Sequence, residues 1–111
     1  MKVAIVGSRN VAIKDMQIAS YLLEGDEIVS GGAKGVDSCV ADYARRHHLK
    51  LTEFLPQYER YGRAAPIVRN KEIVDYADKI VVFWNGKSKG ALSVIRYAQK
   101  AGKPCERILC E

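Results

Sequence analysis

The sequence predicts a three-layer α/β domain, a parallel sheet of about five strands with helices on both faces. Three observations predict it. Short apolar runs end at glycine or proline, segments of three- and four-residue apolar spacing lie between those runs, and the two kinds of segment alternate along the whole chain. The 111 residues suffice for one continuous core, so the chain reads as one domain over 1–111.

Residues 2–6 (KVAIV) are an apolar run closed by Gly7, the ending of a buried strand. Ile13, Met16, Ala19, Leu22 and Leu23 recur at helical spacing and predict a helix with one apolar face, stopped before Gly25 and Asp26. Residues 27–30 form the second strand and enter the loop Gly31, Gly32, Ala33, Lys34, Gly35. Val36, Val40, Tyr43, Ala44 and His47 mark one side of the next helix. Residues 49–55 (LKLTEFL) make the third strand, and Pro56 ends it. Residues 57–65 (QYERYGRAA) have little periodicity and read as a loop with a short helical turn. Pro66 suits the first turn of a helix carrying Ile67, Val68, Val74 and Ala77. Residues 79–84 are the most strand-like run in the chain. Ala91, Ile95 and Ala98 mark the last helix, Gly102-Lys103-Pro104 stops it, and residues 105–110 make an edge strand. The succession is βαβαβαβαβ, which is Rossmann-like, with an expected strand order of 3-2-1-4-5.

Composition narrows the function classes. The chain is 48% hydrophobic and 28% charged, and no apolar run approaches the roughly 20 residues of a membrane span, so no membrane partner is expected. The N-terminus lacks the pattern of a secretory signal, and a cytoplasmic location follows as an expectation. Cys39, Cys105 and Cys110 form no CxxC pair, and the adjacent His47 and His48 point about 100° apart on a helix. No metal and no cofactor is expected. The net charge of +5, from 18 basic and 13 acidic residues, suits a partner that carries phosphate.

The segment VVFWNGKSKGA at 81–91 imitates two motifs. A phosphate loop of the form GxxxxGK[ST] needs a glycine where Val81 stands within the strand. A nucleophile elbow fits Gly86 to Gly90, but residues 89–111 hold neither the His nor the Asp that must follow it. A dinucleotide fingerprint fails as well, because the first loop reads Gly7-Ser8-Arg9-Asn10 and Ser30-Gly31-Gly32 replaces the ribose-binding acid.

What remains is a convergence of loops. In a doubly wound sheet ligands bind beyond the strand C-termini where the strand order reverses. There Gly7-Ser8-Arg9, the loop from Ser30 to Gly35, and Asn85-Gly86-Lys87-Ser88-Lys89-Gly90 all meet. Their glycines let backbone amides approach a ligand, helix N-termini favour negative charge, and Ser8, Ser30 and Ser88 supply hydroxyls. Arg9 and Arg69 are suited to bidentate phosphate contacts, and Lys34 and Lys87 add charge at loop tips. Asp37 suits a ribose hydroxyl, though an acid in a first helical turn is stabilising without a ligand. Trp84 suits stacking on a base, and Tyr58 and Tyr61 can close over the site; ordinary packing is the competing role for all three.

These motifs carry a resemblance. IVGSR at 5–9, SGGAKGVD at 30–37, Arg69-Asn70 and the glycine-serine turn at 86–90 resemble the Rossmann-like superfamily (SLOG) shared by bacterial DNA-processing protein A and the lonely-guy phosphoribohydrolases. The likeness is nearest to its small stand-alone bacterial and phage members. It implies a site for a nucleotide or nucleotide-derived ligand, such as a nucleoside monophosphate or ADP-ribose, held by the residues above together with Asn70. Lonely-guy enzymes carry PGGxGTxxE after the fourth strand, and this chain has residues 85–94 (NGKSKGALSV) with no counterpart of that glutamate. The glycine loops and helix termini favour a non-catalytic or weakly catalytic sensor, with N-glycosidic hydrolysis as the alternative and Asp37, Glu72 and Asp75 as its candidate carboxylates. DNA-processing protein A binds single-stranded DNA, which keeps single-stranded DNA as a further partner. Homodimerisation is expected because lonely-guy relatives commonly form dimers.

Overall fold

The computed structural model describes residues 1–110. Its elements are β1 (Lys2–Gly7), α1 (Asp15–Ala19), β2 (Glu27–Ser30), α2 (Val36–Arg46), β3 (Leu51–Glu53), α3 (Tyr58–Tyr61) with a 3-10 turn (Gly62–Ala64), α4 (Ala65–Tyr76), β4 (Lys79–Trp84), α5 (Lys89–Ala101) and β5 (Cys105–Leu109). The five strands are parallel in the order β3-β2-β1-β4-β5, as the alternation of segments predicts.

The central strands are apolar without alternation because both faces are covered. On one face Val3, Ile5, Ile28, Val81 and Phe83 pack with Ile18 of α1 and with Val36, Val40, Tyr43 and Ala44 of α2. On the other face Ala4, Val6, Val29, Ile80 and Val82 pack with Ile73, Val74 and Ala77 and with Ala91, Val94, Ile95 and Ala98 of α5. The register pairs Val3 with Lys79 and Gly7 with Phe83, so β1 and β4 end level with each other. From β1 the chain steps outward to β2 and β3 and then crosses to β4 on the opposite side, which opens the crevice between the first and fourth strands. Among the described residues no helix is long and apolar enough to cross a membrane. Cys39, Cys105 and Cys110 are free thiols.

Four details differ from the periodicity. α1 is only five residues long, and its buried side chain is Ile18, whereas Met16 is 82% and Leu23 is 78% exposed. The Leu23 amide donates to Asp26 Oδ2 at 2.8 Å, a side-chain turn that competes with helix continuation. β3 spans three residues rather than seven, since its partner β2 ends at Ser30 and leaves nothing further to pair with. His47 caps α2 at its exposed end, stacked 4.2 Å from the Tyr43 ring, and takes no part in the core. Ile67 is exposed on α4, whose buried stripe begins instead with Ala65, Arg69 and Asn70.

At the opposite end of the sheet, Glu27 joins β2 to β3 and α4. Its Oε2 accepts the Tyr76 hydroxyl at 2.6 Å and the Thr52 hydroxyl at 2.7 Å, and Lys50 Nζ stands 3.2 Å from Oε1. These donors, Tyr76 first, lower its pKa from 4.5 to about 2.

Two outcomes are expected. Ile18→Ala lowers stability by about 2–5 kcal/mol in urea unfolding, whereas Met16→Ala changes it by less than about 0.5 kcal/mol. The carboxylate of Glu27 is favoured in the folded state, so its contribution is complete above pH 4.5 and is lost as pH falls through about 2. Glu27→Gln flattens that part of the stability profile in acid titration, leaving the share carried by Asp15 and Asp26, whose pKa values are also lowered.

Candidate functional site

Three segments and one helix meet above the ends of β1 and β4. Ser8 is their common tie. It is 1% exposed; its hydroxyl accepts the Asn85 amide at 3.1 Å, and its carbonyl receives the amides of Val11 and Val36 at 3.4 Å each. The loop after β2 closes against the same backbone at Gly35, where φ is +72° and a Cβ would strike the carbonyls of Ser8 and Arg9. Only glycine fits there.

α4 delivers Arg69 and Asn70 into this junction, both buried. Arg69 Nη1 donates to the Gly31 carbonyl at 2.6 Å, and its Nε donates to Asn70 Oδ1 at 2.9 Å. Asn70 Nδ2 donates to Ser93 Oγ of α5 at 2.8 Å, and Ser93 in turn donates to the Gly90 carbonyl at 2.8 Å. This chain of bonds fixes the β2–α2 loop and the start of α5 to one helix. Burial lowers the Arg69 pKa, and the Asp37 charge opposes that shift.

Asp37 lies in the first turn of α2 and is 4% exposed. Its Oδ2 accepts the Ala33 amide at 3.2 Å, but its buried Oδ1 has no hydrogen-bond partner among the described residues. The amides of Gly7 and Gly31 stand near enough to draw its pKa down without making a well-directed bond to Oδ1. Burial outweighs them, together with Ala33 and the Arg69 charge, and the carboxyl pKa is raised. A buried carboxylate oxygen without a donor is costly, and a ligand hydroxyl supplies what it lacks.

The surface here is divided into three connected hollows. A cavity of about 70 Å³ is lined by Gly7, Arg9, Asp37, Arg69, Asn70, Ser88 and Gly90 among others. Beside it a depression of about 280 Å³ is formed by Arg9, Gly31, Gly32, Ala33, Lys34, Pro56, Tyr58 and Arg69. On the other side a depression of about 420 Å³ is formed by Arg9, Asn10, Asn85, Lys87, Ser88 and Gly90. Of the residues lining the three, Asp37 is the one carboxylate. Among the described residues no group of three His, Cys, Asp or Glu side chains gathers to hold a metal ion.

The other expected site residues stand elsewhere or are already engaged. Ser30 donates its hydroxyl to the Ile5 carbonyl at 3.1 Å, deep between β1 and β2. Trp84 packs on the core at the α4 and α5 face, and its Nε1 donates to the Ser88 carbonyl at 3.0 Å, so the indole braces the turn and lines none of the hollows. Gly86 faces Leu109 of β5. Asn85 lines the third hollow while its Oδ1 accepts the amides of Lys87 and Ser88 at 2.8 Å each. Glu72 lines none of the three hollows, and Asp75 accepts the Tyr97 hydroxyl at 3.1 Å along α5. Tyr58 does reach the site, whereas Tyr61 is not among its lining residues. Asn10 and Ser93 were not expected there. Ser93 follows Gly90 by three residues, which places it on the same helix face, but nothing in the sequence signals that the polar part of α4 packs against it.

Comparison with known proteins adds two findings. A family model described as DNA recombination-mediator protein A matches residues 1–57, which hold the β1 and β2 loops but neither Arg69 nor the β4–α5 turn. The "Gene 61 protein" of Mycobacterium phage D29 is 36% identical over 83 residues, covering 69% of this chain and 66% of the length of the phage protein.

Arg69→Ala leaves the Gly31 carbonyl and Asp37 without their buried cation and lowers stability by about 3 kcal/mol, read by urea unfolding. Ser93→Ala, which removes one neutral link of the same chain, costs only about 1 kcal/mol. Equal effects of the two would contradict the role assigned to the guanidinium.

Proposed function

The chain belongs to the DNA recombination-mediator protein A family, and from that premise we propose that its crevice binds a nucleotide or nucleotide-derived ligand of the nucleoside monophosphate or ADP-ribose type, as a sensor. The observation that carries this reading is Asp37, a carboxylate that lines the cavity bordered by Arg9 and whose buried Oδ1 has no donor among the described residues. A ribose offers two adjacent hydroxyl donors to that oxygen. A phosphate attached to it would reach Arg9 and Lys34, exposed side chains that make no salt bridge among the described residues. Guanidinium and phosphate pair bidentately, which fixes orientation as well as charge.

Binding without turnover is favoured by the β4–α5 turn. Its contribution to the crevice is Asn85, Lys87, Ser88 and Gly90, none of which stabilises a ribosyl cation or donates a proton as a carboxylic acid does. The neutral amide and the lysine instead suit an anion that is held.

A second reading has its own support. The matching family is described as a mediator of DNA recombination, and the chain carries a net charge of +5, so the same crevice also suits one nucleotide of a single DNA strand.

Thermal unfolding with AMP, GMP, ADP-ribose, NAD and a short single-stranded oligonucleotide separates these readings. A ligand at 100 times its Kd stabilises by about 2.7 kcal/mol, and Asp37→Asn removes the gain from ribonucleotides because the amide accepts fewer donors. A small-ligand site gives binding that depends weakly on salt, whereas a DNA strand gives affinity that falls steeply as salt rises. Release of free base from AMP during incubation would overturn the sensor assignment in favour of hydrolysis.

A further inference from the structure

A groove of about 480 Å³ runs along the outer face of α5, and we propose that it docks an acidic segment of a partner protein, with an apolar side chain of that segment seated on Leu92. Lys89, Leu92, Ser93, Arg96, Tyr97 and Lys100 line it. They recur at three- and four-residue spacing and so share one face of the helix. The opposite face buries Ala91, Val94, Ile95 and Ala98 in the core. None of the six lines the hollows above β1 and β4, so the groove is a second surface, and its occupant is independent of the nucleotide reading.

The charges on this face work against the helix that carries them. Lys89 is the first residue of α5, where a cation meets the positive end of the helix dipole, and no acidic residue stands in that turn. Lys100 suits the C-terminal end of the dipole, but it follows Arg96 by four residues, a like-charge spacing that is destabilising. All three cations are exposed, α5 contains no Asp or Glu, and none of the three makes a salt bridge among the described residues. Asp75 of α4 accepts the Tyr97 hydroxyl at 3.1 Å instead. Charges that cost a helix stability without internal compensation mark a surface kept for recognition, and carboxylates brought by a partner relieve them. Between the cations lie Leu92 and Tyr97, both half-buried, which give the groove an apolar floor within a cationic rim. That combination fits a peptide with Asp or Glu beside leucine better than a nucleic-acid strand, which needs an open ring for stacking. The Tyr97 ring has Lys71 Nζ 5.7 Å from its centre and its hydroxyl held by Asp75.

Fluorescence anisotropy of the full chain with three labelled probes tests the proposal: a helical peptide of Glu, Leu and Ala, the same peptide with Gln in place of Glu, and a short oligo-dT. The Glu peptide is expected to bind, and the Gln peptide to bind about tenfold more weakly. The triple variant Lys89→Ala, Arg96→Ala, Lys100→Ala changes only exposed side chains, so it keeps the fold, and it is expected to weaken the Glu peptide about tenfold. Leu92→Ala is expected to weaken it about fivefold through the lost apolar contact. Absence of binding by the Glu peptide, equal binding by the Gln peptide, or full binding by the triple variant each overturns the proposal. Binding of oligo-dT that the triple variant weakens, with the Glu peptide unbound, also overturns it and assigns the stripe to a nucleic-acid strand.

Discussion

The crevice depends on a buried guanidinium. Arg69 sits on the half of α4 that faces inward, where a helix of a three-layer fold ordinarily presents aliphatic side chains to the sheet. Burying that charge is costly, and the cost is offset by a tight set of partners: the Gly31 carbonyl, the Asn70 side chain and the Asp37 charge. Gly31 must be glycine for this, since a Cβ would sit 2.8 Å from Arg69 Nη1 and 3.0 Å from Asp37 Oδ2. The same bonds that satisfy the cation set the position of the β2–α2 loop, and through Asn70 and Ser93 they set the start of α5. A network that joins three elements at one point holds a binding surface more rigidly than loops packed only on their own strands.

The same rigidity accounts for several polar residues of the loops being engaged with backbone rather than open to the crevice. Ser8, Ser30 and Trp84 each make a well-formed bond to backbone or receive one; the two serines tie neighbouring strands together, and the indole braces the turn that follows its own strand. Hydroxyls and indole N–H groups consumed in this way preorganise the site at no cost when a ligand arrives. Asp37 is the exception: one oxygen is tied, and the other has no hydrogen-bond partner among the described residues.

The layered architecture was legible because its signal is repetitive. Five apolar runs, each bounded by glycine or proline and separated by helical spacing, leave little freedom once right-handed crossovers are imposed, and the observed order β3-β2-β1-β4-β5 follows. Short elements were less legible. In α1 an apolar spacing of 13, 16 and 19 gave the wrong helix phase, because Ile18 alone anchors a five-residue helix and Asp26 captures the next turn. On α4 the apolar Ile67 drew attention to a face that is exposed, while the inward stripe was hidden by being polar at its start. The loops were identified correctly as a group of segments that meet, since topology brings them together. Which of their side chains point into the crevice was not readable, because a serine or tryptophan that braces a turn has the same identity as one that binds.

If the crevice binds a ligand as proposed, its mixture of charges selects more narrowly than its cations alone. Arg9, Lys34 and Lys87 attract any anion, and at the surface such attraction is weak and screened by salt. Asp37 adds the discrimination. A bare phosphate placed against it brings another negative charge to a buried carboxyl already held at a raised pKa, so the interaction is repulsive unless a proton is taken up. A sugar phosphate avoids that conflict by presenting its hydroxyls inward to Oδ1 and its charge outward to the arginine and lysines. On the proposed reading, the separation between the buried acceptor and the rim cations would select a ligand with hydroxyl donors on its inner side over an anion that has none.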